Sequence, residues 1–241
     1  MASRGGVGLA MLRDEVLRAN QALVRAGLVT LSFGNASGVD RSADVMIIKP
    51  SGVPYDDLRA DQLVAVSLAD GRPGDDGLRP SSDTSTHLAL YRRFPEIGGV
   101  VHTHSTEATA WAQAGRAIPP LGTTHADHFH GPVPVTRPLT DQEIEGDYEL
   151  STGLLIVETL DLAGLDALEM PAVLIASHGP FTWGADVQAA VDNAIALEKV
   201  AAIATRTLAI GPSTGPVGDA LLERHYRRKH GPNAYYGQGR R

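Results

Sequence analysis

The chain has 241 residues, of which 43% are hydrophobic and 20% charged, so disorder is excluded as its main state and the length suits one large domain or two small ones. The formal net charge is −7, and phosphate-backbone affinity needs a concentrated Lys/Arg field, so no nucleic-acid partner is expected. The one basic run, RHYRRKH at 224–230, suits a small anion instead.

In chain order, Leu12, Val16, Ala19 and Leu23 recur at helical spacing with Gly27 placed for a left-handed cap, so residues 10–26 read as an amphipathic helix. LVTLSF (28–33), DVMIIK (44–49) and QLVAVSL (62–68) read as strands, and the Gly/Pro/Asp-rich stretch 69–80 as a surface hairpin or excursion. TSTHLALYRRF reads as a short helix stopped by Pro95, GGVVHTH as a buried strand, and Ser105 as the cap of an alanine-rich helix over 106–115. Thr140 and Glu143 form a capping box that opens a helical stretch. AVLIAS (172–177) is an apolar strand delivering His178, and residues 186–210 carry the pattern of a long, alanine-rich helix. A Gly/Pro linker over 211–218 leads to a last helix. No repeat or low-complexity boundary divides the chain. The reading is therefore one α/β domain over 1–241, strands backed by helices on both faces, with 1–8 and 239–241 as flexible termini. No stretch approaches the ~20 apolar residues of a membrane span, so a cytoplasmic protein without a membrane partner is expected.

The chemistry concentrates at histidines. There is no cysteine, so any metal must be held by imidazoles and carboxylates. His102 and His104 alternate on a strand and would share one face, about 6 to 7 Å apart along it. His178 offers a third nitrogen at the end of another strand, and Asp83 sits just before a helix. Three imidazoles and a weakly held carboxylate describe an open catalytic zinc site that also accepts Mn²⁺ or Co²⁺. A plain turn histidine before Gly179 and Pro180 is the alternative for His178. A second group, His125, Asp127, His128 and His130 in THADHFH, reads as a polar loop suited to proton transfer, with a solvated loop as its alternative. SFGNAS (32–37), KPSG (49–52) and SSD (81–83) combine hydroxyls, glycines and one lysine, the ingredients of a phosphate cradle. Each is weak alone. Together with a candidate metal they suggest a small phosphorylated substrate.

Longer motifs carry a resemblance. LVTLSFGNASGVD, IIKPSGVPYDDL, PSSDTSTH, IGGVVHTHS, IPPLGTTHADHF, MPAVLIASHGPF and HYRRKHGPNAYYGQ closely resemble the L-ribulose-5-phosphate 4-epimerases of the class II sugar-phosphate aldolase and epimerase superfamily, over about residues 9–238. The resemblance implies an α/β three-layer α/β/α sandwich with a mostly antiparallel central sheet, and a cyclic homotetramer with active sites between subunits. It implies His102, His104 and His178 as zinc ligands, with Asp83 as the adjacent acidic ligand or near neighbour. Asn35, Lys49, Ser51, Gly52, Ser81 and Ser82 would bind a phosphorylated ketopentose, His225 and Arg228 would support the site, and Asp127 with Tyr236 would be the acid/base pair from the adjacent subunit. The implied reaction interconverts L-ribulose 5-phosphate and D-xylulose 5-phosphate by breaking and re-forming the C3–C4 bond. His128 and His130 depart from the family motif, where other aromatic residues are common. The rival within the superfamily is an L-fuculose or L-rhamnulose phosphate aldolase, which typically carries glutamate where this chain has Asp83. An epimerase acting on L-xylulose 5-phosphate is a nearer relative of the main reading. The adducin head domains, which share the fold without catalysis, have lost the metal histidines that stand in place here.

Overall fold

A computed structural model of the chain describes residues 4–74, 77–230 and 234–235. In chain order it runs α1 (Arg4–Arg25), β1 (Asn35–Asp40), β2 (Val45–Ile48), β3 (Val64–Ser67), α2 (Thr84–Arg93), β4 (Gly99–His102), α3 (Thr106–Gln113) and α4 (Thr123–Ala126). Then follow α5 (Asp141–Glu145), α6 (Tyr148–Ala163), β5 (Ala172–Leu174), β6 (Pro180–Gly184), α7 (Val187–Ile210) and α8 (Asp219–His230). The strands form one sheet in the order β3-β2-β1-β4-β6-β5, and every pairing between them is antiparallel.

Strand alternation decides which helix covers which face. Ala36, Ile47 and Val101 point to one side, where Leu12, Val16 and Leu23 of α1 and Val187 and Val191 of α7 pack on them. Met46, Ile48, Val100 and Trp183 point to the other, against Leu90 and Tyr91 of α2 and Ile156 and Leu160 of α6. Each fully buried Leu, Ile or Val of these layers contributes about 1.5–3 kcal/mol. The result is a three-layer α/β/α sandwich. A third cluster, including Trp111, Phe129, Leu174 and Leu197, closes the end of the sheet where α3 and α7 meet.

Several sequence expectations need correction. Residues 28–33 are a loop, not a strand: Leu31 has φ 56° and is 76% exposed. The strand is the next segment, Asn35–Asp40, whose composition is poor for β structure. Packing overrides that preference. A Cβ at Gly38 would lie 2.5 Å from Val187 Cγ2 and 2.9 Å from Leu12 Cδ1, so α1 and α7 close over β1 only because Gly38 has none. Buried Asn20 of α1 locks the same strand, accepting from the Ala36 N–H at 3.0 Å and donating to the Ala36 carbonyl at 3.2 Å.

The Ser105 side chain does not cap α3. Glu198 of α7 does so, accepting from the N–H groups of Glu107 and Ala108, each at 2.9 Å. The Thr140–Glu143 capping box forms as read, but the helical stretch breaks at Gly146 into α5 and α6, with Asp147 capping the second. THADHFH is a packed turn rather than a polar loop: α4 ends in it, and His125, Asp127 and Phe129 are buried. Strand β6 goes beyond the sequence reading. At the N-terminus, α1 already begins at Arg4, inside the segment read as a flexible extension, and the other proposed flexible end, 239–241, lies outside the described residues.

Candidate active site

Strand β4 ends on His102, and its partner β6 begins at Pro180. Between β5 and β6 the chain reverses through Ser177, at φ 64°, and His178, closed by Ile175 N–H donating to the Gly179 carbonyl at 2.9 Å. Gly179 is required there, because a Cβ would sit 2.8 Å from the Thr103 carbonyl. The tight hairpin brings His178 against the end of β4. His104, two residues past that strand's last pair, swings back to meet both.

The three Nε2 atoms converge. His104 Nε2 lies 3.1 Å from that of His102 and 3.2 Å from that of His178, far closer than the strand spacing alone implies. His102 Nδ1 is 3.0 Å from the Pro180 carbonyl, an acceptor only, so Nδ1 carries the proton and Nε2 turns a bare lone pair inward. His178 Nδ1 pairs with the Tyr148 hydroxyl at 3.2 Å, and the His102 ring stacks on Phe181 at 4.2 Å. Burial and the neighbouring imidazoles push His178 down to about 4 and lower His104 as well. The His178 imidazole therefore stays unprotonated well below the ordinary histidine range near 6.5. Two rings held from outside at Nδ1 and three Nε2 atoms turned toward one another fit a divalent cation.

Asp83 stands beside this group rather than in it. Its Oδ2 accepts from the Asn35 amide at 2.6 Å, and the same amide donates to Ser81 Oγ at 3.0 Å. Burial opposes ionisation of Asp83, but His102, His87 and the Asn35 amide outweigh it and hold the carboxyl below its usual range.

The triad forms one end of a cleft of about 420 Å³ whose lining also includes Asn35, Lys49, Ser51, Gly52, Ser81, Ser82 and Asp83. Two backbone hydrogen bonds weld its floor: Ser81 N–H donates to the Lys49 carbonyl and Ser51 N–H to the Arg79 carbonyl, both at 3.0 Å. The Lys49 ammonium is buried, and burial lowers its pKa. Six of the eight residues read as substrate-binding thus line the same cleft as the three histidines, His225 and Arg228 being the exceptions.

Asp127, His225 and Arg228 are not among the residues lining that cleft. They form a second cluster where α8 docks on the turn after α4. Arg228 grips Asp127 through Nη2 at 2.6 Å and Nε at 2.9 Å, His225 Nδ1 lies 3.0 Å from Oδ1, and Lys229 Nζ is 3.8 Å from Oδ2. Burial opposes the charge, but Arg228, His225 and Lys229 prevail and keep Asp127 ionised below the usual carboxylate range. His130 does not touch the Asp127 carboxylate. Its two nitrogens meet Glu169 at 2.9 Å and Glu223 at 2.8 Å, and its ring stacks on Tyr226 at 4.6 Å. Tyr236 lies outside the described residues.

Three contributors escaped the sequence reading. Phe33 and Tyr148 line the cleft, and Tyr148 orients His178. Their only signal was place: Phe33 in the small-residue stretch before Asn35, and Tyr148 directly after the Asp147 cap. The third, His87, is fully buried beneath the site, with Ser37 Oγ 2.7 Å from its Nδ1 and burial pushing it down to about 3.

Comparison with known proteins agrees with this geometry. The model of the class II aldolase and adducin N-terminal domain matches residues 14–205. The chain is 53% identical over 227 residues to a protein named L-ribulose-5-phosphate 4-epimerase UlaF from Salmonella paratyphi C, covering 94% of this chain and 98% of that one. Among solved structures, an L-fuculose 1-phosphate aldolase from Glaciozyma antarctica PI12 superposes with TM-score 0.76 at 19% identity over 97% of this chain and 87% of that one. A second L-fuculose 1-phosphate aldolase gives TM-score 0.74 at 22% identity over 95% and 97%. At those identities the structures speak for the fold alone. With the sandwich, the histidine-lined cleft and a domain match spanning most of the sequence, the chain belongs to the class II aldolase and adducin N-terminal domain family.

Proposed function

We propose that this protein is an L-ribulose-5-phosphate 4-epimerase. The observation that carries the reading is the convergence of three Nε2 lone pairs at one end of a cleft whose floor holds a buried lysine and four serine or glycine residues. The similarity at 53% identity to a protein of that name over nearly the whole chain supports it.

The chemistry explains why such a site is needed. In a 2-ketose the C4 hydrogen is not α to the carbonyl, so C4 cannot be inverted by simple deprotonation. Breaking C3–C4 solves this: a base takes the C4 hydroxyl proton, the bond's electron pair moves onto the C2–C3 fragment, and glycolaldehyde phosphate is released. The aldehyde turns over, the C2–C3 fragment attacks its other face, and an acid protonates the new C4 oxygen. A divalent ion held by His102, His104 and His178, zinc in our reading with Mn²⁺ or Co²⁺ as chemically acceptable substitutes, supplies Lewis acidity for the charge developing on the C2 and C3 oxygens.

The protein's own groups do the rest. Lys49, with the hydroxyls and backbone of Ser51, Gly52, Ser81 and Ser82, grips the phosphate, so the cleaved aldehyde stays captive while C4 rotates. Asn35 fixes Asp83 and Ser81 on the same wall. Asp127, ionised and clasped by Arg228 and His225, serves as one proton carrier, and Tyr236 as the other. Since Asp127 does not line the cleft of its own chain, we assign it to a neighbouring subunit's cleft in a cyclic homotetramer. Among the described residues no helix is long and apolar enough to cross a membrane. The test is to incubate the purified protein with L-ribulose 5-phosphate, with and without a chelator. D-xylulose 5-phosphate should form only in the untreated sample, whereas free glycolaldehyde phosphate as sole product would identify an aldolase.

A further inference from the structure

Lys49 presents a physical problem that the residues around the phosphate cradle do not solve. Its side chain is 2% exposed, yet its ammonium makes one long hydrogen bond, 3.4 Å, to the Pro50 carbonyl. An ammonium has three donors, and a buried charge without compensation is costly. The compensation comes from a ring: Nζ lies 4.8 Å from the centroid of Tyr55, over the electron-rich face.

Tyr55 has a second task at its other end. It belongs to a short 3₁₀ turn, Tyr55–Asp57, opened by Pro54, and is itself 8% exposed. Its hydroxyl lies 3.0 Å from the Phe33 carbonyl and 2.8 Å from the Gly34 carbonyl, and burial keeps the phenol protonated as their donor. Phe33 and Gly34 are a wall of the cleft, and Gly34 leads directly into Asn35, which holds Asp83 and Ser81. One side chain that does not itself line the cleft thus joins its cation to the Phe33–Gly34 part of its lining.

We propose that Tyr55 is a positioning residue for anion binding: its ring face steers the Lys49 ammonium toward the substrate phosphate, and its hydroxyl pins the Phe33–Gly34 wall at the matching distance. The inference rests on the phosphorylated-substrate reading above. Losing the ring removes the cation's support, whereas losing only the hydroxyl frees the wall. The two halves of the role are therefore separable.

The experiment compares wild type, Tyr55→Met and Tyr55→Phe by calorimetric titration with inorganic phosphate, and by KM and kcat for L-ribulose 5-phosphate, with zinc content and melting temperature measured alongside. Tyr55→Met should weaken phosphate binding by about 3- to 30-fold and raise KM similarly, with kcat per zinc-loaded chain changed less than about threefold. Tyr55→Phe should hold phosphate within about threefold of wild type but still raise KM, because only the wall is loosened. Equal phosphate affinity in wild type and Tyr55→Met, with melting temperature alone reduced, would make Tyr55 merely structural and overturn the inference. If Tyr55→Met does not fold, an unchanged KM in Tyr55→Phe overturns it. Wild type that binds phosphate without converting the sugar would discard the substrate reading while the titration still decides on Tyr55; wild type that binds no phosphate defeats the inference outright.

Discussion

The histidine cleft and the Asp127 turn are both rich in imidazole, yet they place charge in opposite ways. In the cleft, His102 and His178 are held from outside, at Nδ1, by neutral partners, the Pro180 carbonyl and the Tyr148 hydroxyl. Their Nε2 atoms are left facing inward, which is what a cation needs. At the turn, a carboxylate is filled by cations: Arg228 occupies both oxygens of Asp127, with His225 and Lys229 close by. That site is already electrostatically complete and needs no ion. Counting potential ligands along the sequence would favour THADHFH over HTH; the direction of the lone pairs reverses the choice.

The contrast can be broken by substitution. The largest effect should come from His104→Ala, which removes the nitrogen that meets both other imidazoles: zinc retention, by elemental analysis, and turnover should both be lost. Asp127→Asn should lower turnover about 10²- to 10⁴-fold while zinc content stays at the wild-type level, since that carboxylate serves proton transfer and not the metal. Loss of zinc in Asp127→Asn would mean the two regions are not chemically separate. Tyr148→Phe deletes the outer partner of His178 and should weaken zinc affinity by about 10-fold, measured by competition with a chelating dye.

Smaller effects sharpen the same comparison. Burial pushes His125, behind the Asp127 turn, down to about 4, against roughly 6.5 in the unfolded chain. Between those values the unfolded state binds the extra proton, so stability is full above about pH 6.5 and falls with acidification at up to about 1.4 kcal/mol per pH unit. His87 and His178, likewise depressed, share that loss, so His125→Phe should make the acid slope in thermal melts shallower by its one-proton share, and an unchanged slope would show that this imidazole contributes nothing. Smallest is Glu198→Ala, which uncaps α3 just beyond His104 without removing any ligand and should cost about 1 kcal/mol of stability.

How much of this was legible in the sequence follows from where packing and preference agree. The helices α1, α2 and α7 have apolar spacings matching their buried faces, and β2, β3 and β5 are β-prone apolar runs, so they were readable within a few residues. Strand β1 was missed because its preferences and its duty conflict. Asn35 and Ser37 serve the site, and Gly38 lets two helices close in, so a strand of poor β-formers is built where LVTLSF looked far better. The three zinc candidates and the phosphate cradle were legible as residue types, and the structure gathers them into one cleft. Tyr148 and Tyr55 were not. Their roles depend on contacts spanning 30 residues to His178 and about 20 to the Phe33–Gly34 wall, which no local spacing encodes.

The measurement that bears most directly on the central claim is a zinc reconstitution of chelator-stripped protein, following D-xylulose 5-phosphate formation against metal added. Activity should be absent in the stripped protein and rise in proportion to zinc until one ion per chain is bound. Full turnover after exhaustive stripping, or zinc bound equally well by His104→Ala, would contradict the assignment of the triad.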